Sequence, residues 1–312
     1  MISKQDLGLL EKALPQMPDK EKRKNLALLQ QYQKEMKKEV GVESFLDFIK
    51  YVYPGYIIGA HHRHLAEIFQ DIAIGKKKRV VVNIAPRHGK SEMISYLAPA
   101  WFLGKYPAKK VIMASHTADL AVNFGRRVRN LVGSTPYKEI FPDVELQADS
   151  KSASRWGTNY NGEYFAIGVG GALAGRGADL FIIDDPHSEQ DAKQNRADVF
   201  LPAWEWFQSG PIQRLMPGGA IIVVMTRWSK LDLTGQIMDQ MTKNDEAEPW
   251  EIVEFPAILT DKKGQERALW PEFWELEELQ QKRSVLDVRY WNAQYLQNPT
   301  SEEGALIKRE WW

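Results

Sequence analysis

The sequence contains no cysteine in 312 residues. No disulfide can form, no thiolate can act as nucleophile or zinc ligand, and thiol redox chemistry is excluded. Net charge is missing as well. Lys and Arg number 41 and Asp and Glu number 41, so the chain lacks the basic excess that marks a whole domain as a nucleic-acid binder, and any grip on a polyanion has to be local. No run approaches the roughly 18 apolar residues that a membrane-spanning helix needs, and the N-terminal MISKQDLGLL lacks the layout of a secretory leader, so no membrane partner is expected. What remains is an ordinary globular composition, 44% hydrophobic and 26% charged, in a length that suits one large domain or one with a small subdomain. Aromatics are the exception, with 11 Trp, of which Trp204, Trp206, Trp228, Trp250, Trp270, Trp274 and Trp291 fall late. Their large apolar area suits packing better than base stacking.

Residues 3 to 40, rich in Lys, Glu, Gln and Leu, read as one or two exposed helices broken at Pro15 and Pro18. Composition turns apolar from Val42, and a helix from His62 to Ile74 is expected behind a Pro54-Gly55 turn. Short β-branched runs then alternate with helical stretches. Strands are expected at Arg79–Ile84, Lys110–Ser115, Tyr164–Val169, Leu180–Ile183 and Ala220–Met225, with helices after Ser91 to Trp101 and over Thr117–Leu131. This alternation argues for an α/β fold with a mostly parallel sheet and helices on both faces. Beyond Thr226 the pattern weakens into helices, one strand near Trp250–Phe255 and the turn-rich Asp261–Gln265. The division expected is an N-terminal helical extension over 1–41, a core over 42–228, and a small lid subdomain with a linker over 229–312.

Between the first strand and its helix lies Ala85-Pro86-Arg87-His88-Gly89-Lys90-Ser91. In that context Gly-Lys-Ser supplies what a nucleoside triphosphate such as ATP needs: loop and helix N–H groups for phosphate oxygens, Lys90 for the β and γ phosphates, and Ser91 for Mg²⁺. A phosphate loop usually has glycine five residues before Gly89, where Ile84 stands. The second half of the argument comes some ninety residues later, where Leu180-Phe181-Ile182-Ile183 runs into Asp184-Asp185. A buried strand ending in paired acids places one carboxylate, Asp184, at the Mg²⁺ and the next, Asp185, where it can orient or deprotonate the attacking water. An Asp-Asp-Pro turn is the bland alternative; the two motifs together favour an ATPase.

Around these lie weaker candidates. Gly170-Gly171-Ala172-Leu173-Ala174-Gly175-Arg176-Gly177 reads as a mobile, exposed loop from which Arg176 reaches a γ-phosphate in a neighbouring subunit. Arg87, within the phosphate loop, is the rival finger, and a structural ion pair is the plain reading of Arg176. Thr226 ends the fifth strand at the sheet edge where open α/β sheets bind ligands; it either senses the γ-phosphate or simply closes a strand. The run His61-His62-Arg63-His64 suits a nucleotide-base contact by His62 better than a metal, because adjacent histidines diverge on a helix. Lys76-Lys77-Lys78-Arg79 reads as a solvated loop, with DNA phosphates as the alternative.

In order, these segments resemble the large terminase subunit of tailed bacteriophages, from about Tyr53 to the last residue. The series is the histidine segment, Pro86-Arg87-His88-Gly89-Lys90-Ser91, the Gly-Arg-Gly loop, Asp184-Asp185-Pro186, Thr226-Arg227-Trp228 and Ala293-Gln294-Tyr295-Leu296-Gln297-Asn298-Pro299. The resemblance implies a P-loop NTPase fold of the ASCE, RecA-like kind, with Lys90 and Ser91 as Walker A, Asp184 as Walker B, Asp185 as catalytic carboxylate and Thr226 as coupling motif. It puts Tyr56 to His62 at the adenine-binding position. Relatives often carry Gln in that segment and Glu where Asp185 stands. It further implies ATP and Mg²⁺ as cofactors, double-stranded DNA, the portal protein and the small terminase subunit as partners, and a homo-oligomeric ring on the procapsid portal vertex, with a monomer in solution, in the host cytoplasm. In that family a metal-dependent nuclease domain follows the segment ending here at Trp312, so DNA cleavage is not expected of this chain. A helicase-like translocase of another P-loop family and a non-hydrolysing portal-docking module stand as alternatives.

Overall fold

Five or more consecutive buried residues at the centre of a strand occur where helices cover both faces of a sheet, and the apolar runs of this chain form such strands. The computed structural model describes residues 17–148, 152–194 and 196–300. Its main sheet is built from β1 (Arg79–Ile84), β2 (Lys110–Ser115), β3 (Arg155–Gly157), β4 (Glu163–Gly168), β5 (Ala178–Asp184), β6 (Leu215–Met225) and β7 (Glu251–Phe255). The spatial order is β3-β4-β2-β5-β6-β1-β7. Every neighbouring pair is parallel except β3 with β4.

Alternation along each strand divides the core. Val80, Val82, Val111, Met113, Leu180, Ile182, Ile222 and Val224 pack on one face with Phe45, Leu65, Phe69, Trp101 and Phe124. These come from the helices Phe45–Val52, Ala60–Ala73, Ala98–Lys105 and Ala118–Val132. On the opposite face Val81, Ile112, Phe181, Ile183, Ile221 and Val223 meet Trp206, Phe207, Leu233 and Ile237 from the helices Ala197–Ser209 and Leu233–Lys243. A third cluster joins Ala85, at the start of the phosphate loop, to Ala257, Ile258, Ala268, Leu279 and Trp291. It belongs to a two-stranded antiparallel unit, β8 (Ile258–Thr260) with β9 (Glu266–Ala268), and the helix Leu276–Val285.

The expected strands fall where the β-branched runs are, with β1 and β2 spanning Arg79–Ile84 and Lys110–Ser115. The helix read from His62 begins at Ala60. One assignment changes. The strand near Trp250–Phe255, placed with the tail, pairs in parallel with β1 as the edge of the main sheet. The periodicity of a five-residue strand cannot reveal which sheet it joins. At the N-terminus a helix runs Asp19–Glu43; Pro15 and the segment Gly304 to Trp312 lie outside the described residues. Among the described residues no helix is long and apolar enough to cross a membrane.

Candidate nucleotide site

The elements that carry the acids and the lysine converge at the C-terminal ends of β1, β5 and β6, adjacent strands in the order β5-β6-β1. After Ile84 the backbone turns through left-handed conformations at Arg87 (φ 61°) and Gly89 (φ 83°). From Lys90 the chain is helical, widening to a π-type helix over Glu92–Leu97. Pro99 gives the reason for the widening: it has no N–H for the Ser95 carbonyl, and its ring crowds that carbonyl.

Five side chains named from the sequence meet here. The Lys90 ammonium lies 2.8 Å from Asp185 Oδ2 and donates to Thr226 Oγ1 at 3.1 Å. Ser91 Oγ donates to Asp184 Oδ1 at 3.0 Å. Asp185 leaves β5 with φ 41°, a left-handed turn that aims its carboxylate across β6 to accept the Thr226 N–H at 2.9 Å. Thr226 Oγ1 donates in turn to the Ile84 carbonyl at 3.0 Å, tying the end of β6 to the start of the loop. Sequence reasoning missed Ser95, whose hydroxyl donates to Asp184 Oδ2 at 2.8 Å. Its position four residues after Ser91, on the same helix face, was the available signal.

Burial sets the electrostatics. Asp184 is 1% exposed; burial first and the neighbouring Asp185 second push its carboxyl up to about 7, against the pull of Lys90, Ser91 and Ser95. Burial alone would lower Lys90, but the charges of Asp185 and Asp184 outweigh it and the ammonium is held above its ordinary range. A buried carboxylate flanked by hydroxyls, with a second carboxylate beside it, is a hard oxygen donor set that fits Mg²⁺.

His62 is not on the cleft wall. It is fully buried; Nδ1 accepts the Gly59 N–H at 3.1 Å, which leaves Nε2 as the protonated nitrogen, donating to the His88 carbonyl at 3.1 Å. With both nitrogens committed it supports the loop from behind and has nothing to offer a base. His61 Nε2 contacts the same carbonyl at 3.1 Å. Burial holds His61 at about 4 and His62 at about 3, so both rings are neutral near pH 7. His88 is buried too, its Nδ1 2.8 Å from the Pro86 carbonyl of the same loop. In front of the loop is a cleft of about 540 Å³ whose walls include Tyr53, Tyr56, Ile57, Pro86, Arg87, Trp270 and Phe273. Trp270 and Phe273 stack at 4.4 Å, and Trp274 Nε1 donates to the Arg87 carbonyl at 3.3 Å. These tail aromatics are at the site because the third cluster seats the tail against Ala85, which no local pattern announces.

Arg176 is not free. Its guanidinium pairs with Glu163 at 3.1 Å and lies 3.6 Å from the Phe165 ring centroid, with its side chain 24% exposed. The flanking glycines suggested an open loop, but β4 supplies an acid and an aromatic that capture the cation. Arg87 is exposed at the mouth of the cleft. The basic run is paired with local acids: Lys76 with Asp71 at 3.2 Å, Lys77 with Glu251 and Arg79 with Glu248 at 2.6 Å.

The family described as terminase large subunit, T4likevirus-type, N-terminal, matches residues 81–312. No curated protein matches. Among solved structures, the chain is similar to the large terminase ATPase domain of Thermus phage P74-26, at 15% identity and a TM-score of 0.47, over 73% of this chain and 93% of that one. It is similar to the HK97 bacteriophage large terminase at 15% identity and a TM-score of 0.49, over 74% of this chain and 50% of that one. The large terminase of the thermophilic bacteriophage D6E in complex with ATP-gamma-S matches at 11% identity and a TM-score of 0.40, over 73% of this chain and 51% of that one. The chain thus spans about half the length of the latter two.

Proposed function

Because this chain belongs to the terminase large subunit family, T4likevirus-type, through its N-terminal domain, we propose that it is an ATP-hydrolysing motor module that translocates double-stranded DNA into a procapsid. The observation that carries the reading is the position of Lys90 between the Asp185 carboxylate at 2.8 Å and the Thr226 hydroxyl at 3.1 Å, with Ser91 bound to Asp184 at 3.0 Å. The ends of β1, β5 and β6 bring one cation, two acids and a hydroxyl together beside a helix start, the kind of place that suits an anion.

From that arrangement the chemistry follows. Lys90 exchanges a carboxylate oxygen for a phosphate oxygen of ATP, and this frees one oxygen of Asp185. The freed oxygen orients a water toward the γ-phosphorus and accepts its proton, as a new P–O bond forms and the bond to the β-phosphate oxygen breaks. Ser91 and Asp184 are the residues to hold Mg²⁺, which when bound neutralises charge on the phosphates. Thr226, hydrogen-bonded to the same lysine, registers whether Lys90 faces a phosphate or Asp185. The cleft aromatics Tyr53, Tyr56, Trp270 and Phe273 suit the base, the role first given to His62. Arg176 completes the active site of the adjacent subunit in a ring on the portal, with Arg87 as the alternative finger in its own subunit. The portal protein and the small terminase subunit are the partners this role requires.

The direct test is Lys90→Ala. With the ammonium that Asp185 and Thr226 hold removed, ATP turnover should fall by about 10³-fold or more, while the far-ultraviolet circular dichroism spectrum stays that of the parent. A folded variant that retained parental turnover would sink the phosphate-loop assignment.

A further inference from the structure

Gln297 is 1% exposed and sits at φ 57°. A residue other than glycine keeps such a left-handed backbone only where its surroundings hold it. Both ends of its amide are committed: Oε1 accepts the backbone N–H of Arg227 at 3.2 Å, and Nε2 donates to the Gln294 carbonyl. The orientation of the amide is fixed by chemistry, because a backbone N–H can only donate and a carbonyl can only accept.

Its target is one peptide from the nucleotide site. Asp185 holds the N–H of Thr226 at 2.9 Å and Gln297 holds the next N–H, that of Arg227, at 3.2 Å. The rest of Arg227 is anchored, its Nε 3.0 Å from Asp232 Oδ2 and its NH1 3.5 Å from Glu254. The segment bearing Gln297 is tied to the start of the β8 unit by Ala257 N–H on the Tyr295 carbonyl at 2.6 Å and is closed on itself by Asn298 N–H on the Asn292 carbonyl at 2.8 Å. A hydrogen bond already at 3.2 Å is lost if the Thr226–Arg227 peptide moves away by much more than about 0.3 Å, and a buried N–H left without an acceptor is costly. Gln297 therefore has to follow that peptide.

We propose that Gln297 is a positioning residue for Thr226, and that its amide carries a nucleotide-dependent displacement of Thr226 into the segment Trp291–Pro299. The inference rests on the reading of Lys90, Asp185 and Thr226 as an ATP site. It places the outlet of the site in the tail.

The experiment is hydrogen–deuterium exchange of this chain with and without ATP-gamma-S, in the parent, Gln297→Leu and Gln297→Gly. Glycine relaxes the left-handed backbone while removing the acceptor for Arg227 and the donor to Gln294, and Gln297→Leu removes the same two bonds while still filling the space, so a loss common to both variants reports the amide. In the parent, nucleotide should change exchange rates over Trp291–Pro299 about fivefold or more. Both variants should lose that response and keep their ATP-gamma-S affinity within about threefold, while kcat falls about 10- to 100-fold at little-changed KM. Retention of the response and of kcat in Gln297→Gly overturns the proposal. So does a parent that binds ATP-gamma-S with no change over Trp291–Pro299, an outcome that leaves the ATP site standing. A parent that does not bind ATP-gamma-S overturns the ATP site and the inference together.

Discussion

At the scale of single residues, the burial of Asp184 opposes stability. Its carboxyl titrates near 3.8 in an unstructured chain and at about 7 in the fold, raised by burial and then by Asp185. The folded chain holds that proton more tightly, so as pH rises from about 4 to about 7 the group subtracts stability, and above about 7 the full penalty is present. Asp184→Asn keeps the shape without the charge; its one amide oxygen accepts from one of Ser91 and Ser95, and its NH2 donates to the other hydroxyl, which turns to accept. In the absence of divalent cations it should therefore melt higher than the parent at pH 8, by roughly 2 to 6 °C, with the advantage shrinking toward pH 4. Thermal melts of the two proteins across that range test this. A variant less stable than the parent at pH 8 would mean that the carboxylate is not penalised by its burial.

At the scale of elements, the loop between β1 and its helix is held from behind. A Cβ on Gly89 would lie 2.2 Å from His62 Nε2 and 2.8 Å from the Tyr56 hydroxyl, at φ 83°. Gly170 has nearly the same backbone, φ 84°, but a Cβ there meets nothing within 4 Å. The pair separates strain from collision. Gly170→Ala should cost about 1 kcal/mol, the penalty of a side chain at positive φ, whereas Gly89→Ala should cost about 2 to 4 kcal/mol, because the histidine pair behind it cannot recede. Chemical denaturation of both variants measures the difference; equal costs would show that His62 is free to move. The histidine segment is legible in the sequence as unusual, but its role is not. One face of a helix can be found by periodicity, yet whether that face meets a ligand or the back of a loop depends on contacts between elements 26 or 27 residues apart.

At the scale of the whole molecule, Arg176 has two claims on it. The part-exposed pair with Glu163 holds it by about 0.5 to 1 kcal/mol and the Phe165 ring by about 0.5 to 2 kcal/mol. A trans-acting finger is worth on the order of 10³ to 10⁵ in rate, or about 4 to 7 kcal/mol. The second outweighs the first, so the captured position is compatible with transfer to a neighbour in a ring, and isolated chains should turn over slowly. Mixing Arg176→Ala chains with Asp185→Ala chains under assembling conditions should recover turnover that neither shows alone, because some interfaces then pair an intact arginine with an intact carboxylate. If mixing restores nothing while the parent is activated by assembly, the finger is not Arg176, and Arg87 takes its place.

The sequence by itself determined the central strands β1, β2, β4, β5 and β6, because β-branched apolar runs bounded by turn formers suit a sheet covered on both faces, though not the three-residue strands β3, β8 and β9, and it put Lys90 and Asp184 at the ends of two of those strands. Only the tertiary structure decided what meets across elements. It laid β7 beside β1, turned His62 inward behind Gly89, folded Trp270 and Phe273 over the cleft, gave Arg176 to Glu163 and Phe165, and brought Gln297 to the backbone after Thr226. The physical reason is common to all of these. Local pattern fixes the face that a side chain occupies on its own strand or helix, whereas the partner of that face is chosen by packing between segments as far as 187 residues apart, where periodicity carries no information.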